Sequence, residues 1–577
     1  MAVDELRREI SRVLLDMGVD APGELVLERP RNPDHGDFAS NVALTLAKPL
    51  RRPPRQIAEE LVERLDLAGA GIRSAEVAGP GFINFRLTGD YVREGLADIV
   101  SAGDGFGRSE TGAGKPVVIE FVSANPTGPL HIGHGRQAAL GDAIAELLAW
   151  TGWNAYREFY YNDAGEQIAR LARSVWARYQ ELHGQPVAFP EDGYHGSYVG
   201  DIAAAISEEV GDEFVGDDSE RALEVMRRFA VRTLRVEQNS DLDEFRVRFD
   251  NFYLESSLYD EGRVADTIAR LRGTGLVDDR DGALWLRTSE FGDDKDRVMV
   301  KSTGHPTYFL PDVAYHLTKW ERGFRRAINV QGSDHHGTIA RVRAGLQALD
   351  LPEGYPEYVL HQMVLVMRGG AEVKFSKRAG DAVTLRDLCD EAGVDVTRYF
   401  FLMRRAEAQL TFDLDLALDQ SEKNPVFKVQ YAHARMAAIF RRAGVENAES
   451  LDPSDADLDL LTDQTELELI KLLLRFPELI ESAAERHAPH LVCDYLEEVA
   501  GAVNSWYHAG NLDPSLRVVG VPEPLSRARL VLARAIQIVL RNGLAALGVS
   551  APDRMDRKEG EDSGFSIQDS GSDSAAT

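Results

Sequence analysis

The stretch VVIEFVSANPTGPLHIGHG, residues 117–135, decides the fold of this chain. Its first six residues form a nearly continuous apolar run, which is typical of a central parallel strand buried on both faces. The prolines and glycines that follow predict a turn of special geometry, and residues 135–150 predict an amphipathic helix. A strand, a turn and a helix in this order predict an α/β protein built around a doubly wound, Rossmann-type domain.

The turn carries residues suited to binding a nucleotide. His131 and His134 are close enough to project from one side as the helix begins, and paired imidazoles can donate to charge developing on phosphorus. Gly133 has no side chain, so a ribose or base can approach the backbone closely. The N–H groups of the first helical turn attract phosphate. The alternative is a turn with two structural histidines, but its place after a strand of an open α/β sheet favours a nucleotide site.

A second basic segment, VKFSKRAG at residues 373–380, lies about 240 residues downstream. Lysines with serine and glycine on a loop suit a phosphate chain whose charge rises in a transition state. Such loops are usually solvated surface, but together with the histidine turn this one indicates ATP. The Gly-rich residues 102–116 do not form a phosphate-binding loop, because Pro116 follows Lys115 where that motif needs Ser or Thr. We interpret them as a connection.

The remaining sequence divides into recognisable units. Residues 1–88 predict an α+β domain, 89–425 the Rossmann-type domain with a charged helical insertion at about 170–290, and 426–555 an all-α domain. The Ser/Asp/Gly-rich residues 556–577 predict a disordered tail. Local patterns predict helices at Glu5–Met17, Phe38–Leu50 and Gln56–Leu65, and strands within Ile72–Leu87 and at Thr307–Leu310, Ala327–Val330 and Val359–Met367.

Composition limits the function and the location. The formal net charge of −29 argues against nucleic acid as a partner, unless a local basic groove lies on the acidic body. No run of 18 apolar residues and no signal peptide is present, so we expect no membrane segment. Cys389 and Cys493 are far apart and form neither a disulfide framework nor a metal motif. We therefore expect a cytoplasmic protein without a metal site.

The two basic segments resemble the HIGH and KMSKS signatures of class I aminoacyl-tRNA synthetases. The first matches in full at residues 131–134, and the second is a variant with Phe375 and Arg378. The likeness extends to the arginyl-tRNA synthetases over nearly the whole chain apart from the tail. It is carried by residues 35–41, 79–84, 124–134, 160–165, 250–256, 306–312, 332–337 and 430–435.

The resemblance implies an arginine–tRNA ligase that uses L-arginine, ATP with Mg²⁺, and tRNA(Arg), and we expect a monomer. It implies an N-terminal domain that touches the tRNA elbow and a C-terminal domain that binds the anticodon. Because a guanidinium prefers carboxylate partners, an acidic pocket fits this substrate. The implied site residues are His131, His134, Lys374 and Lys377 for catalysis; Thr127, Gly133, Gly135 and Ser376 for ATP; Glu255, Asp312 and Tyr308 for the guanidinium; and Asn125, Glu120 and Asp334 for the α-amino end.

Each pocket residue also has an ordinary explanation: Asp312 as a helix cap, Glu255 as a surface acid and Tyr308 as a core residue. Other functions also remain open at this point: a ligase with a non-RNA acceptor, a non-catalytic relative, or a cysteinyl or glutamyl synthetase. Many arginyl enzymes lack the second lysine of the loop and need tRNA before they form the adenylate. This chain has Lys377, so we hypothesise a weaker dependence on tRNA.

Overall fold

The computed structural model describes residues 2–19, 25–30, 32–163, 165–373 and 383–555. The predicted tail at 556–577 lies outside the described residues, as do Lys374, Ser376 and Lys377. Over the described ranges, no helix combines the length and the hydropathy needed to cross a membrane.

The N-terminal module has the predicted α+β architecture. Its described elements are α1 (Ala2–Asp16), β1 (Leu27–Glu28), β2 (Phe38–Ser40), α2 (Val42–Leu50), α3 (Pro54–Arg64), β3 (Ile72–Ala78) and β4 (Phe82–Leu87). The strands form an antiparallel sheet in the order β1-β2-β4-β3. The helix predicted from Phe38 begins four residues later, because Phe38 pairs with Phe85 in the sheet and is buried.

The central region alternates strands and helices. Its elements are α4 (Gly89–Ala102), β5 (Pro116–Glu120), α5 (Ile132–Trp150), β6 (Asn154–Tyr161), α6 (Glu166–Leu182), α7 (Ser197–Val210), α8 (Glu220–Glu244), β7 (Asn251–Leu254), α9 (Glu255–Asp260), α10 (Arg263–Gly273), β8 (Val277–Arg280), β9 (Ala283–Leu286), β10 (Arg297–Val300), α11 (Phe309–Glu321), β11 (Arg326–Gly332), α12 (His336–Gln347), β12 (Glu357–His361), β13 (Val364–Arg368), β14 (Ala371–Glu372), α13 (Leu385–Ala392), α14 (Val394–Leu402), β15 (Leu410–Asp413) and α15 (Leu414–Ala417).

The main sheet is parallel, and its strands lie in the order β12-β11-β5-β6-β7. The chain leaves β5 toward β6 on one side and later returns to β11 on the other, so the strand order reverses between β5 and β11. Open α/β sheets bind ligands outside the carboxyl ends of the strands at such a switch point. The predicted doubly wound fold is confirmed, and residues 121–131 and 332–335 lie at the edge where it places a ligand.

Helix α5 starts at Ile132, three residues before the predicted start, because His131 caps it. From Gly135 onward nearly all its side chains are buried, since it packs against the sheet and against other helices. The connection predicted at residues 102–116 is confirmed. Its glycine turn precedes strand β5, and Gly112 N–H donates to the carbonyl of Thr151 (2.7 Å), whereas a phosphate-binding loop follows a strand.

Three local predictions are wrong. The helical insertion expected to about residue 290 ends with α8; β7 then rejoins the main sheet, and β8, β9 and β10 form a small antiparallel sheet. Residues 307–310 lead into helix α11, where buried Leu310, Val313 and Leu317 follow a helical period. The strand predicted over Val359–Met367 is two strands, because β12 pairs with β11 whereas β13 pairs with β15.

The C-terminal domain is all-α, as predicted. Its helices are α16 (Pro425–Arg442), α17 (Gln464–Leu473), α18 (Phe476–Glu485), α19 (His490–Leu512) and α20 (Glu523–Ala546). Ion pairs join it to the N-terminal module: Lys471 Nζ lies 2.9 Å from Asp37 Oδ1, and Arg29 Nε lies 3.3 Å from Glu478 Oε2. The two outer modules therefore contact each other directly as well as through the central region.

Candidate active site

The turn after β5 has a strained backbone, which hydrogen bonds to strands β5 and β6 hold in place. Val122 and Ser123 have positive φ angles (66° and 41°), which are uncommon for residues other than glycine. The Ser123 hydroxyl donates to Glu120 Oε1 (3.0 Å) and accepts from the backbone N–H of Tyr160 (3.1 Å). Strain of this kind persists only where the surroundings over-determine it, and it concentrates at functional sites.

The two histidines lie face to face at the start of α5. Their ring centroids are 3.7 Å apart, with an angle of 18° between the ring planes. His131 Nδ1 accepts from the backbone N–H groups of Gly133 (3.1 Å) and His134 (3.3 Å), and His134 Nδ1 faces the N–H of His131 at 3.4 Å. Because Nδ1 accepts in both rings, each neutral ring carries its proton on Nε2.

Both imidazoles are neutral near pH 7. Partial burial lowers the pKa of His131. Burial and the neighbouring rings of His131 and His361 lower the pKa of His134 well below its ordinary value. The pair therefore presents neutral Nε2–H donors, which suit phosphate oxygens that gain charge in a transition state.

Gly133 and Gly135 are needed for packing within the protein, because a side chain at either position would collide with neighbouring side chains. A Cβ on Gly133 would lie 2.9 Å from His131 Cε1, so the glycine lets that ring fold back as the cap. A Cβ on Gly135 would lie 2.8 Å from Leu385 Cδ1 and 3.0 Å from Phe401 Cε2, and Gly135 is buried. Gly135 thus faces the interior rather than the open crevice.

Helices of the insertion hold the loop that contains Asn125 and Thr127. The Tyr198 hydroxyl donates to the carbonyl of Thr127 (2.7 Å), and Gln238 Nε2 donates to the carbonyls of Gly128 (2.9 Å) and Asn125 (3.2 Å). The Asn125 side chain donates to Gln167 Oε1 (2.6 Å). No local sequence signal marks Tyr198 or Gln238, because their importance arises only when the insertion folds over the turn.

Asp312 and Glu255 form an acidic pair, and neither carboxylate makes a salt bridge with a described residue. The charge of Arg341 acts on Asp312, but less than burial and the neighbouring carboxylates do. Burial, followed by the charges of Glu255 and Glu120, raises the pKa of Asp312 to about 7. Burial also raises the pKa of Glu255, whose Oε2 accepts from the Tyr160 hydroxyl (3.0 Å). Tyr308 stands at the N-cap position of α11 and Asp312 lies within its first turn, so the helix-cap explanation fails. The arrangement suits a cationic ligand.

Tyrosines surround this acidic pair. Tyr308 is 80% exposed, which excludes the explanation that it is a core residue. The carboxylates of Glu255 and Asp312 raise the pKa values of Tyr160 and Tyr259, although burial contributes most to both shifts. Neither Tyr160 nor Tyr259 is predicted as a site residue from the sequence, because tyrosines on a strand and a helix resemble ordinary core residues.

Glu120 and Asp334 lie in different surroundings. Glu120 is buried, and its Oε2 accepts from the enclosed Lys319 ammonium (2.6 Å), which also donates to Asn329 Oδ1 (3.1 Å). Asp334 is mostly exposed, and its charge acts on His131 and His361. Glu120 therefore lies near the acidic pair, but its own charge is balanced by Lys319. Asp334 lies beside the histidines.

The segment that follows the predicted lysine loop joins the histidine turn directly. Ile132 N–H donates to the carbonyl of Val383 (3.2 Å), and Leu385 N–H donates to the carbonyl of Leu130 (2.8 Å). Before the loop, Val373 N–H donates to the carbonyl of Val366 (2.8 Å). Backbone hydrogen bonds therefore fix Val373 before the loop and Val383 and Leu385 after it. Val383 and Leu385 bond to the turn that carries the histidines.

Comparison with known proteins accounts for most of the chain. Three family models match: the arginyl tRNA synthetase N-terminal domain at residues 4–87, the catalytic domain of class I (R) tRNA synthetases at 97–407, and the DALR anticodon-binding domain at 429–555. The three matches follow one another in the order of the structural units described above.

Similar proteins cover nearly the full length. The arginine–tRNA ligase of Geobacter metallireducens is 54% identical over 541 residues, which are 92% of this chain and 95% of the relative. That of Thiobacillus denitrificans is 52% identical over 559 residues, covering 96% and 99%. The crystal structure of Thermus thermophilus arginyl-tRNA synthetase is similar with a TM-score of 0.75 and 25% identity, covering 96% and 100%. This chain belongs to the arginyl-tRNA synthetase family of class I aminoacyl-tRNA synthetases.

Proposed function

We propose that this chain is an arginine–tRNA ligase, which activates L-arginine with ATP and transfers it to the 3′ end of tRNA(Arg). One observation supports this most strongly. An acidic pair that makes no salt bridge with the described residues, Asp312 and Glu255, lies at the carboxyl edge of the same sheet as the two neutral imidazoles of the capping box of α5. The first feature suits a guanidinium, and the second suits the phosphates of ATP.

In the first step, the arginine carboxylate attacks the α-phosphorus of ATP, forming arginyl-adenylate and releasing pyrophosphate. His131 and His134 donate from Nε2 to the phosphate oxygens, and Lys374 and Lys377 hold the leaving pyrophosphate. Thr127, Gly133 and Ser376 are assigned to the ATP site, whereas Gly135, which faces the interior, supports the turn instead. ATP enters as its Mg²⁺ complex; the described residues bring no group of three acidic, His or Cys side chains together for a metal.

Arginine lies across the carboxyl edge of the sheet in this proposal. Asp312 and Glu255 bind the guanidinium, and the exposed ring of Tyr308 covers it. Asn125, Glu120 and Asp334 bind the α-amino end. Lys319 holds one carboxylate oxygen of Glu120. The other oxygen accepts from the Ser123 hydroxyl, so Glu120 also fixes the strained turn.

In the second step, a terminal ribose hydroxyl of tRNA attacks the adenylate carbonyl and releases AMP. We assign catalysis to residues 89–425, contact with the tRNA elbow to residues 1–88 and anticodon binding to residues 426–555. The ion pairs between the two outer modules support this division, because they hold both tRNA-binding modules against each other. We propose a monomer in the cytoplasm, in accord with two buried free thiols.

The acidic pocket distinguishes arginine from other amino acids. Glutamate would place a third carboxylate beside Asp312 and Glu255, and like charges at this spacing repel. Cysteine carries no positive charge to satisfy the pair. A ligase with a non-RNA acceptor would not need domains that bind tRNA. Residues 4–87 and 429–555 match the N-terminal and anticodon-binding domains of tRNA synthetases, which argues against this alternative.

The test is charging of total tRNA with each of the twenty amino acids, in the presence of ATP and Mg²⁺. Charging by arginine alone supports the proposal. Charging by another amino acid instead overturns the pocket assignment, and no charging by any overturns the reaction. Asp312→Ala should abolish arginine charging, whereas Asp279→Ala, which removes an exposed acid of β8, should charge as the unaltered protein does.

A further inference from the structure

His361 ends strand β12 next to the nucleotide crevice, and the mechanism above does not use it. It pairs with Gly332 of β11, the residue that precedes the short turn carrying Asp334. Its side chain is 6% exposed. Val359, two residues earlier and therefore on the same face of the strand, packs in the core that contains α5. His361 thus lies beneath the start of the helix that His131 caps.

The tautomer of His361 follows from its own neighbours. Nδ1 lies 3.3 Å from the carbonyl oxygen of Gln362, which can only accept, so the ring proton is on Nδ1. Burial and the nearby Arg136 guanidinium lower the pKa of His361 to about 4, so the ring is neutral. Arg136 itself is held by the carbonyls of Gln362 (2.7 Å) and Arg405 (2.9 Å).

The other ring nitrogen, Nε2, is therefore a buried hydrogen-bond acceptor. It has no hydrogen-bond partner among residues 2–19, 25–30, 32–163, 165–373 and 383–555. Buried polar atoms of native proteins are nearly always bonded, and an exception calls for an explanation. The charged and titratable groups that act on this ring are Arg136, Asp334, His131 and His134. Two of these four, His131 and His134, belong to the proposed phosphate site, so the unpartnered atom lies at its border.

The chemistry of the substrates limits what can fill this position. An acceptor needs a donor, and ionised phosphate groups have no hydrogen to donate. The guanidinium of arginine is drawn to Asp312 and Glu255, whereas the charges that act most on His361 are those of Arg136, Asp334 and His131. Two sources of a donor remain: the α-ammonium of arginine, and the ribose hydroxyls and exocyclic amine of adenosine. We take adenosine because the rings of His131 and His134 adjoin His361, and an effect on the KM for arginine would assign the α-ammonium instead.

We propose that His361 Nε2 accepts a hydrogen bond from the adenosine part of ATP and so positions the nucleotide for attack by arginine. This inference rests on the proposed function. His361 is a nucleotide-positioning residue: it binds ATP through one neutral hydrogen bond and takes no part in proton transfer.

Three substitutions of His361 separate the two ring nitrogens. His361→Gln places an amide oxygen near the position of Nε2 and should keep the KM for ATP within about twofold. His361→Asn reaches only as far as Nδ1, and His361→Ala reaches neither, so both should raise the KM for ATP about tenfold. The KM for arginine should stay unchanged in all three. Equal values for the Gln and Asn variants, or a rise in the KM for arginine instead, would overturn the inference.

His433 supplies a matched control. It is also buried, its Nδ1 lies 3.0 Å from the carbonyl oxygen of Pro552, and its Nε2 has no partner in the described part of the chain. It belongs to α16, in the C-terminal domain. His433→Asn should therefore leave the KM for ATP at the value of the unaltered protein. A similar rise in both variants would assign the effect to general loosening of the fold.

Nucleotide analogues identify the donor without depending on the folding of a variant. With the unaltered protein, 2′-deoxy-ATP and 3′-deoxy-ATP each remove one hydroxyl, and inosine triphosphate removes the amine. For the unaltered protein, the KM for one of these analogues should be about tenfold higher than the KM for ATP. For the His361→Ala variant, the KM values for that analogue and for ATP should be equal. If His361→Ala discriminates against all three analogues as strongly as the unaltered protein, the inference fails. If the unaltered protein does not charge tRNA with arginine at all, the proposed function fails first.

Discussion

The raised pKa of Asp312 predicts that arginine binding depends on pH near neutrality. The guanidinium is always charged and needs an ionised carboxylate, but burial holds the pKa of this carboxyl at about 7. Below pH 7 the proton must leave before arginine binds. With half of the carboxyl ionised at pH 7, about nine-tenths at pH 8 and about one-tenth at pH 6, the KM for arginine should rise about tenfold between pH 8 and pH 6.

The same raised pKa predicts that the free protein becomes less stable as pH rises, whereas arginine binding becomes tighter. The pKa in the folded protein exceeds the ordinary value of 3.8, so the folded state binds more protons between pH 4 and pH 7. The contribution of Asp312 to folding therefore becomes less favourable as pH rises through this window. A rise from 3.8 to about 7 corresponds to at most about 4 kcal/mol of destabilisation at pH 8. Asp312→Asn, which is neutral at any pH, should raise the melting temperature of the free protein while it weakens arginine binding.

The assay is steady-state charging at pH 6, 7 and 8 with saturating tRNA, in which the KM values for arginine and ATP are measured separately. The KM for ATP serves as the internal control, because Asp312 is not among the residues assigned to ATP. Melting of the free protein and of Asp312→Asn at pH 8 completes the experiment. A KM for arginine that is flat from pH 6 to pH 8, or a lower melting temperature for Asp312→Asn than for the unaltered protein, would contradict the raised pKa of Asp312.

Other predictions concern the histidines, the loop and the buried ion pair. His134→Ala should lower kcat about 10²-fold with little change in the KM for arginine, because a donor to the transition state is lost; an unchanged kcat would contradict its role. Because Lys377 is present, arginine-dependent pyrophosphate exchange should proceed without tRNA, and its absence would refute that hypothesis. Lys319→Met should lower the free energy of unfolding by about 3–5 kcal/mol in urea, since it leaves Glu120 buried without its cation. A loss below 1 kcal/mol would show that Glu120 finds another partner.

The sequence is most informative where the chemistry is local. The apolar run at 117–122, the turn and the helix after it correctly predict β5 and α5, because a buried strand and an amphipathic helix leave strong short-range patterns. The histidine pair is visible for the same reason. Its stacked geometry and the proton on each Nε2 need the structure, since they depend on backbone N–H groups of the same turn.

The wrong predictions have a physical cause in common. Residues 359–367 read as one apolar strand, but the chain changes sheets between His361 and Val364, and no local pattern reports which partner a strand chooses. The buried Lys319–Glu120 pair joins residues 199 positions apart, so neither residue reveals the other. Tyr198 and Gln238 likewise become important only when the insertion packs on the turn.

In the proposed site, Asp312 and Glu255 select a guanidinium by its charge. The most direct test is charging of tRNA by the unaltered protein with arginine and with citrulline, a neutral amino acid of nearly the same shape. The account predicts charging with arginine and at least about 10²-fold lower kcat/KM with citrulline, because citrulline leaves the two carboxylates without a cation. Comparable charging with the two amino acids would contradict the account and assign selection to shape alone.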